Sequence, residues 1–418
     1  MKKYDLIVAG GGYAGTAAAI SAAREGVKTL LIDKNNCLGG AAVQCLVNPF
    51  MKYWTEKADT RDRVYLSRGL FSEITANLKK GGAIHENGLV FDEEYLKLVL
   101  NRMVIEEGID VLFNTYLIDA KVENGDVKSV TVANKSGKQT YFADYFIDAT
   151  GDGDLSVMCG CSYHLGREND NLCQPMTLCF RVIGVDTEMM YAEISNIQSL
   201  YKEYRKRGEI KNVREDVLVF STLIDGVVHF NSTRIVKKNP VDGIDVTLAE
   251  IEGREQAYEL FDFLKQNFKS FENARMIMTA SQIGVRESRM IEGEYVLTKE
   301  DLLACTKFED SIALCNYDID IHNPEGSGTS HHFFKPGEYY SIPYRCITPK
   351  GVNNLLTAGR CISTTHEAQA SYRIMPVCAC IGQAAGIAAA IAKGDGIGVK
   401  SINIGELKSK IIDKGGIV

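Results

Sequence analysis

The sequence feature that most constrains the fold is a cluster of glycines between two short apolar runs. The segment LIVAGGGYAGTAAAISAAREGVKTLLIDK extends from Leu6 to Lys34. Its two runs, Leu6–Ala9 and Val27–Ile32, are unbroken and apolar, which predicts buried parallel strands. The alanine-rich stretch between them predicts a helix. Glycine loses more conformational freedom on folding than any other residue. Several glycines at a strand end therefore indicate that another group must approach this backbone more closely than a Cβ would allow.

The spacing of these glycines points to a phosphate-binding turn. Gly10, Gly12 and Gly15 fit the pattern G-x-G-x-x-G between a strand and a helix, where one glycine makes the turn, one admits a pyrophosphate and one packs the helix on the strand. Asp33 follows the second strand, eighteen residues after Gly15, and is placed to bind a ribose. The sequence therefore predicts a bound dinucleotide. An ordinary tight turn would explain the glycines but not Asp33.

The size and charge of the chain narrow its class. A chain of 418 residues is too long for one ordinary core, so two domains are expected. Hydrophobic residues make up 45% and charged residues 24%, as in ordinary globular proteins. The net charge is −7 and no basic block occurs, so a nucleic-acid partner is not favoured. The apolar run from Cys378 to Ala392 is short and alanine-rich, which favours a core helix over a membrane span.

The 12 cysteines do not indicate a disulfide framework. No C-x-x-C spacing occurs, and the first predicted strand begins almost at Met1, so we expect no signal peptide and a cytoplasmic location where thiols stay reduced. Most of the cysteines are therefore expected to be small buried apolar residues. Cys37 and Cys45 flank the glycine loop, but we assign them no redox role. No metal site is predicted.

Later segments bear on which dinucleotide is bound, because the glycine pattern itself does not separate NAD from FAD. Gly39 and Gly40 follow the second strand directly. A predicted strand, Tyr145–Ala149, ends in TGDG, and another, Leu355–Ala358, ends in Gly-Arg. Several glycine-ended strands are consistent with carboxyl ends around one crevice. A long cofactor that needs close backbone approach at many points favours FAD over NAD.

These motifs together resemble a known family. The segments GGGYAG, LLIDK, CLGGAA, DATGDGD and LLTAGRCISTTHEAQASYRIMPVCACIGQAAGIAAA are similar to FAD-dependent oxidoreductases whose FAD domain is related to that of fumarate reductase and succinate dehydrogenase flavoproteins. The segment SQIGVRESRMIEGEYVLTKEDL also resembles a largely unassigned bacterial family of such enzymes. The cofactor motifs cover about 1–154 and 344–392 and are specific for the cofactor but weak for the substrate.

The resemblance implies an α/β fold with a Rossmann-like FAD/NAD(P)-binding domain, formed by residues 1–154 and 344–418, and an inserted α+β substrate domain at 155–343. It places Asp33 at the adenosine ribose, Arg360 at the pyrophosphate and the helix after Pro376 with its N-terminus towards the flavin. Unlike some fumarate reductases, the chain has no histidine between Gly39 and Pro49, so the FAD is expected to be non-covalent. The predicted cofactor contacts are Gly10, Gly12, Ala14, Gly15, Asp33, Lys34, Gly40, Ala41, Ala42, Gly151, Asp152, Gly359 and Arg360.

The inserted segment carries patterns of a mixed sheet-and-helix domain. Strands are predicted at 176–185, 216–224, 227–235, 275–285 and 312–319, and a helix at 246–268. Asp225-Gly226 predicts a hairpin turn between two of these strands. The segment has no second G-x-G-x-x-G after a strand, so no built-in NAD(P)H domain is expected.

His366 and Arg373 are the predicted catalytic residues. They lie between the last glycine-ended strand and the helix directed at the flavin, so the chain there must pass the reacting ring. A histidine can transfer a proton and an arginine can hold a carboxylate. Flavin chemistry needs little more from the protein than orientation, an acid or base, and charge near the ring.

Two other polar clusters are candidates of lower rank. Arg286 and Arg289 either contact the substrate or form structural ion pairs with Glu287 or Glu292. His331 and His332 either act in catalysis or belong to an exposed loop.

The leading prediction is an FAD-dependent oxidoreductase that moves a hydride between flavin N5 and a small substrate, with a possible external electron donor or acceptor. A flavin monooxygenase, an NAD-linked dehydrogenase without flavin and a non-catalytic electron-transfer partner are the alternatives. We expect a small-molecule substrate and neither a nucleic acid nor a membrane as partner.

Overall fold

The computed structural model describes residues 3–418 and consists of strands, helices and three short 3-10 segments. The strands are β1 (Lys3–Ala9), β2 (Thr29–Ile32), β3 (Trp54–Glu56), β4 (Arg63–Tyr65), β5 (Asp110–Leu112), β6 (Tyr116–Glu123), β7 (Asp126–Asn134), β8 (Gly137–Asp148), β9 (Tyr163–Leu165), β10 (Phe180–Ile183), β11 (Val219–Ser221), β12 (Val227–Phe230), β13 (Arg275–Thr279), β14 (Arg289–Ile291), β15 (Ser311–Cys315), β16 (Ile319–His322), β17 (Thr329–His332), β18 (Tyr340–Pro343) and β19 (Leu355–Thr357). The helices are α1 (Tyr13–Arg24), α2 (Ala41–Gln44), α3 (Leu70–Lys80), α4 (Glu93–Glu106), α5 (Asp154–Met158), α6 (Thr187–Lys206), α7 (Gly243–Asn267), α8 (Lys299–Leu303), α9 (His366–Tyr372), α10 (Met375–Asp395) and α11 (Ile404–Asp413).

The central sheet is parallel where the glycine motifs end. Its strand order is β5-β2-β1-β8-β7-β6, and β19 pairs with the carboxyl-terminal part of β8. Strands β5, β2, β1, β8 and β19 run parallel, whereas β6, β7 and β8 form an antiparallel meander. Because β1, β2, β8 and β19 are parallel, their carboxyl ends share one edge of the sheet. The predicted α/β fold is confirmed, and the glycine-ended strands meet at that edge.

Close packing of α1 against α10 explains the small residues of both helices. A Cβ built on Gly382 would lie 2.0 Å from the Ala14 carbonyl oxygen, and one on Gly386 would lie 2.2 Å from that of Ala18. Only glycine allows this separation of the two helices. Helix α10 is longer than the apolar run that predicted it, and its length and composition would suffice to cross a membrane. It is nevertheless mostly buried, as expected of a core helix.

A second, antiparallel sheet has the order β11-β12-β10-β13. Phe180 and Phe230 stack across β10 and β12 on one face and pack against Leu260 of α7, with Tyr201 of α6 in the same core. The predicted hairpin between β11 and β12 is confirmed. The predicted strands of this region are longer than the observed ones, and the 20-residue helix α6 was not predicted.

The inserted segment contributes to more than one core. Residues of β15 and β18 share a buried cluster with α10, including Ile312, Tyr340 and Ile381. The second sheet and its helices form a separate cluster. The proposed domain division at residues 154 and 343 remains a prediction.

The cysteines behave as predicted. All 12 are free, and ten of them are buried. Burial raises the thiol pKa of both Cys45 and Cys378 to about 12, so these thiols remain protonated and apolar.

Candidate functional site

The three glycines of the first turn have different surroundings. Gly10 has a φ of +100°, and a Cβ there would lie 2.3 Å from the Ala149 carbonyl oxygen, while one on Gly15 would lie 1.7 Å from that of Gly10. These two glycines are needed for packing. Gly12 differs, because its φ is −69° and a Cβ would meet only the Cα of Gly40, at 3.9 Å, among the described residues. Gly12 therefore faces open space that a side chain would fill.

Asp33 stabilises the turn itself. Its carboxylate accepts the backbone N–H of Gly11 and, at 2.7 Å, the backbone N–H of Asn35. The side chain is 94% buried beside the loop, and Lys34 next to it is exposed. Each carboxylate oxygen of Asp33 can accept a further hydrogen bond, so the side chain keeps the capacity to bind a ribose. Binding of a ribose by Asp33 remains a prediction.

The loop after β2 lies against the first turn. The Gly39 N–H donates to the Gly11 carbonyl at 2.9 Å, and a Cβ on Gly40 would lie 2.9 Å from the Gly12 Cα. Ala41 and Ala42 then begin α2, with Ala41 exposed and Ala42 buried. The predicted contacts from residues 10–15 and 40–42 are thus adjacent in space.

The ends of β8 and β19 meet through an ion pair. Arg360 donates to Asp152 Oδ1 at 2.6 Å and to the Ser288 hydroxyl at 2.6 Å. Burial would raise the pKa of Asp152, but the charges of Arg360 and Lys34 outweigh it and hold that pKa below its ordinary value. Gly151, with a φ of +82°, packs against the Arg360 guanidinium. The predicted cofactor residues of these two loops therefore form one charged cluster.

The segment 286–289 connects this cluster to the predicted catalytic helix. Ser288 binds Arg360, as above, and Arg289 donates to the Asp152 carbonyl at 3.1 Å and pairs with Asp154 at 2.8 Å. Glu287 accepts a hydrogen bond from His366 Nδ1 at 2.7 Å, and Glu292 lies 3.1 Å from His164 Nε2. Among the described residues, therefore, neither arginine has the glutamate partner that the structural alternative named, although Arg289 does form a structural ion pair with Asp154.

His366 is the first residue of α9, and Arg373 is the residue that caps its carboxyl end. They are seven residues apart in sequence, a spacing that returns to the same side of a helix after about two turns. Glu287 is fully buried, and its second oxygen accepts the backbone N–H of Gln174 at 2.8 Å. Glu287 binds Nδ1 of His366, so the ring nitrogen left without a carboxylate partner among the described residues is Nε2.

Arg286 and Arg373 bind no carboxylate within residues 3–418. Arg286 donates to the Pro175 carbonyl at 2.7 Å and to the Thr177 hydroxyl. Arg373 has three partners at 3.4 Å, which are the Ala370 and Asp320 carbonyls and the Gln174 side-chain oxygen. Burial, and next to it the charge of Arg373, lowers the pKa of Arg286 to about 9. Both residues remain partly exposed.

The two amides next to these arginines are incompletely bonded. The oxygen of Gln174 accepts from Arg373 and from the His322 backbone N–H at 3.3 Å, while its nitrogen has no partner among the described residues. Gln369 donates to the Arg286 carbonyl at 2.9 Å, and within 3–418 its oxygen has no partner. Both side chains are almost fully buried. A buried unpaired amide is costly, which indicates a ligand or water at this point.

The candidate histidines 331 and 332 do not lie in a loop. They belong to β17, which pairs with β16, and His331 Nδ1 lies 2.5 Å from Asp318 Oδ2. Asp318, Asp320 and His331 have ligand atoms within 4.8 Å of one another, an arrangement that could hold a cation. The backbone carbonyl of Asp320 contacts Arg373 directly, so this cluster borders the arginine site, where positive charge opposes a cation.

Sequence reasoning missed Glu287, Gln174 and Ser288 as site residues. Glu287 and Ser288 are the neighbours of Arg286 and Arg289 in sequence, which is the one weak signal that points to them. Gln174 carried none. A separate cavity of about 650 Å³, lined by Asp144, Tyr145 and Lys400 among others, contains none of the predicted site residues.

The fold and these glycine loops define a dinucleotide-binding α/β enzyme. The chain matches the family described as FAD dependent oxidoreductase over residues 5–411. The protein therefore belongs to this family of oxidoreductases, and its cofactor is FAD.

Curated relatives match over part of their length. The chain is 29% identical over 191 residues to the tRNA uridine 5-carboxymethylaminomethyl modification enzyme MnmG of Streptococcus pneumoniae (strain Hungary19A-6), which covers 41% of this chain and 29% of that protein. It is 28% identical over 159 residues to the digeranylgeranylglycerophospholipid reductase of Methanocella arvoryzae, covering 36% and 39%. The chain thus spans about a third of the length of these relatives.

Solved structures resemble the chain over most of its length. A geranylgeranyl bacteriochlorophyll reductase-like protein from Thermoplasma acidophilum has a TM-score of 0.47 and 14% identity, covering 99% of this chain and 84% of its own. The p-nitrophenol 4-monooxygenase PnpA from Pseudomonas putida DLL-E4 has a TM-score of 0.48 and 10% identity, covering 96% and 82%.

Proposed function

We propose that this enzyme moves a hydride between N5 of its FAD and a carbon atom of a small substrate that bears a carboxylate. The observation that carries the proposal is the buried Glu287–His366 pair at the start of α9, with Arg373 at the carboxyl-terminal cap of the same helix. Such a pair suits general acid–base catalysis, and an arginine suits the binding of an anionic group.

The residues of the turn fit the cofactor. Gly12 faces space that a Cβ would occupy, and α1 begins, within the described chain, without a side-chain cap. Free N–H groups at a helix N-terminus bind phosphate well. We assign the FAD contacts predicted from the sequence to this edge of the sheet and expect non-covalent binding. When bound, FAD supplies the acceptor or donor of the hydride.

His366 is assigned the proton that accompanies the hydride. Glu287 accepts the Nδ1 hydrogen, which fixes the orientation of the ring and leaves Nε2 to exchange a proton with the substrate. Glu287 is held in turn by the Gln174 backbone N–H. Arg373 is assigned the carboxylate of the substrate, since all of its hydrogen-bond partners within residues 3–418 are neutral. An external electron donor or acceptor completes the cycle.

The proposal is tested by anaerobic reduction of the holoenzyme with a panel of small carboxylic acids, following the loss of flavin absorbance. His366→Ala should retain FAD and slow this reduction at least tenfold, because a positioned acid or base contributes about 10²–10⁴-fold. His85→Ala, at an exposed histidine, is the matched control and should react like the parent. Unchanged kinetics in His366→Ala would contradict the assignment. Reaction only with O₂, giving a hydroxylated product, would identify a monooxygenase instead.

A further inference from the structure

We propose that Arg286 and the side-chain nitrogen of Gln174 complete, with Arg373, a clamp for the carboxylate group of the substrate. This inference rests on the proposed function, because it places the substrate beside His366. It goes further by assigning two residues that bind the carboxylate together with Arg373.

The first observation is that Arg286 and Arg373, whose charges act on each other, have no carboxylate as a direct hydrogen-bond partner within residues 3–418. The partners of Arg286 in the described chain are a carbonyl, a hydroxyl and, at 3.4 Å, the amide oxygen of Asn231. Arg373 has only partners at the limit of hydrogen bonding among residues 3–418. Two nearby charges of the same sign repel, and each side chain remains partly exposed, so an anion that binds beside them relieves this repulsion.

The second observation is the unpaired nitrogen of Gln174. The amide orientation is fixed, because its oxygen faces two donors, Arg373 and the His322 backbone N–H. Its nitrogen is therefore a donor, and it lies in a side chain that is 98% buried without a partner in the described part of the chain. A carboxylate oxygen supplies the acceptor that this nitrogen lacks.

The other charged side chains near the two arginines already have direct partners. Arg214 is paired with Asp216 at 2.8 Å and Arg234 with Glu215 at 2.9 Å. Asp320 Oδ2 lies 3.3 Å from His322 Nε2, and Glu287 binds His366. Arg286 and Arg373 differ, because all of their hydrogen-bond partners within residues 3–418 are neutral.

The neighbouring histidine adds no positive charge that competes for the anion. Burial, reinforced by the charge of Arg286, lowers the pKa of His322 to about 3, so His322 is neutral near pH 7. A carboxylate presents two acceptor oxygens in one plane, which suits guanidinium groups and an amide nitrogen as donors.

The test measures equilibrium binding of three probes to the oxidised holoenzyme at fixed ionic strength, by flavin difference absorbance and by calorimetry. The probes are propanoate, its neutral isostere propanamide and inorganic phosphate. Propanoate should bind saturably and at least tenfold more tightly than either of the others. Arg286→Gln should weaken propanoate binding at least tenfold, as expected for the loss of a charge-assisted hydrogen bond.

A second variant guards against a folding defect in Arg286→Gln. Gln174→Glu keeps the oxygen that Arg373 and His322 need but replaces the unpaired nitrogen by an anionic oxygen, and it should abolish propanoate binding. Arg254→Gln removes an equal charge from the exposed face of α7 and should bind like the parent. The FAD content and melting temperature of each variant are measured in parallel.

The inference is overturned if propanoate binds no better than propanamide, if phosphate binds more tightly, or if Gln174→Glu binds propanoate like the parent. These outcomes are distinct from failure of the proposed function. If His366→Ala reduces flavin slowly but Arg286→Gln binds propanoate like the parent, the clamp is refuted and the proposed function stands. If His366→Ala reduces flavin normally but Arg286→Gln binds propanoate weakly, only the proton-transfer role of His366 is refuted.

Discussion

Replacement of Gly12 by alanine separates the needs of the cofactor from those of the fold. The backbone at Gly12 has an ordinary φ of −69°, and among described atoms the new Cβ would meet only the Gly40 Cα, at 3.9 Å. The protein without cofactor can therefore accommodate the methyl group. Alanine is a poorer N-cap residue than glycine, which lowers stability, but it also reduces the entropy of the unfolded chain, which raises stability. Because these effects oppose each other, the free energy of unfolding should change by less than about 1 kcal/mol.

Binding of FAD should respond differently to the same substitution. The methyl group would occupy the space between the first turn and the Gly40 loop. Overpacking of a fitted site costs about 1–3 kcal/mol, which corresponds to FAD affinity about 5–150-fold lower. The assay is titration of the apoprotein with FAD, followed by quenching of flavin fluorescence, alongside denaturant unfolding of the same apoprotein.

Gly15→Ala is the matched control. Its Cβ would lie 1.7 Å from the Gly10 carbonyl oxygen, so the backbone must move and the free energy of unfolding should fall together with FAD affinity. If Gly12→Ala binds FAD as tightly as the parent, the cofactor does not approach Gly12 and the assignment of this turn is refuted. A large loss of stability in Gly12→Ala would refute the inference that the space is open.

Three further predictions concern single side chains. Asp33→Ala should lower both FAD affinity and the free energy of unfolding, the latter by about 1–3 kcal/mol, because Asp33 also holds the Gly11 N–H; an unchanged urea midpoint of the apoprotein would contradict this. Glu287→Gln should slow anaerobic flavin reduction about ten- to a hundredfold, as removal of a charge-assisted hydrogen bond to His366 predicts, and stopped-flow rates equal to the parent's would refute the positioning role. Burial lowers the pKa of His229 to about 3 from 6.5, so the stability that its neutral form contributes is complete above pH 6.5 and is lost as the pH falls towards 3. His229→Phe should show a flatter stability profile over that interval in urea titrations, and an equally steep one would contradict it.

The parts of the fold that follow from local pattern were predictable. The first strand–turn–helix–strand unit appears as β1, α1 and β2, because an unbroken apolar run, a glycine turn and an alanine-rich segment each have one favoured local structure. The glycine-ended strands indicated a common edge before their order was known. The amphipathic helix α6 is not predicted from the sequence, because only three of its 20 residues are buried. Its many polar residues hide the helical spacing of those buried positions.

The site depends on contacts that no local pattern encodes. Glu287 and His366 are 79 residues apart in sequence, and only the packing of segment 286–289 against α9 brings them together. The same packing brings Arg289 against the backbone carbonyl of Asp152, in the predicted cofactor-binding loop after β8. Gln174 carries no sequence signal, since its role arises from a buried position next to Arg373. His366 and Arg373 could be selected because both follow the last glycine-ended strand.

Hydride transfer at this site is tested most directly by an isotope effect. The first acid in the panel that reduces the flavin is prepared with deuterium on the carbon that loses the hydride, and the anaerobic loss of flavin absorbance is compared with that for the unlabelled acid at saturation. Our account predicts slower reduction with the deuterated acid, because that C–H bond breaks in the step observed. Equal rates at saturation, with deuterium retained in the recovered product, would contradict hydride transfer from that carbon.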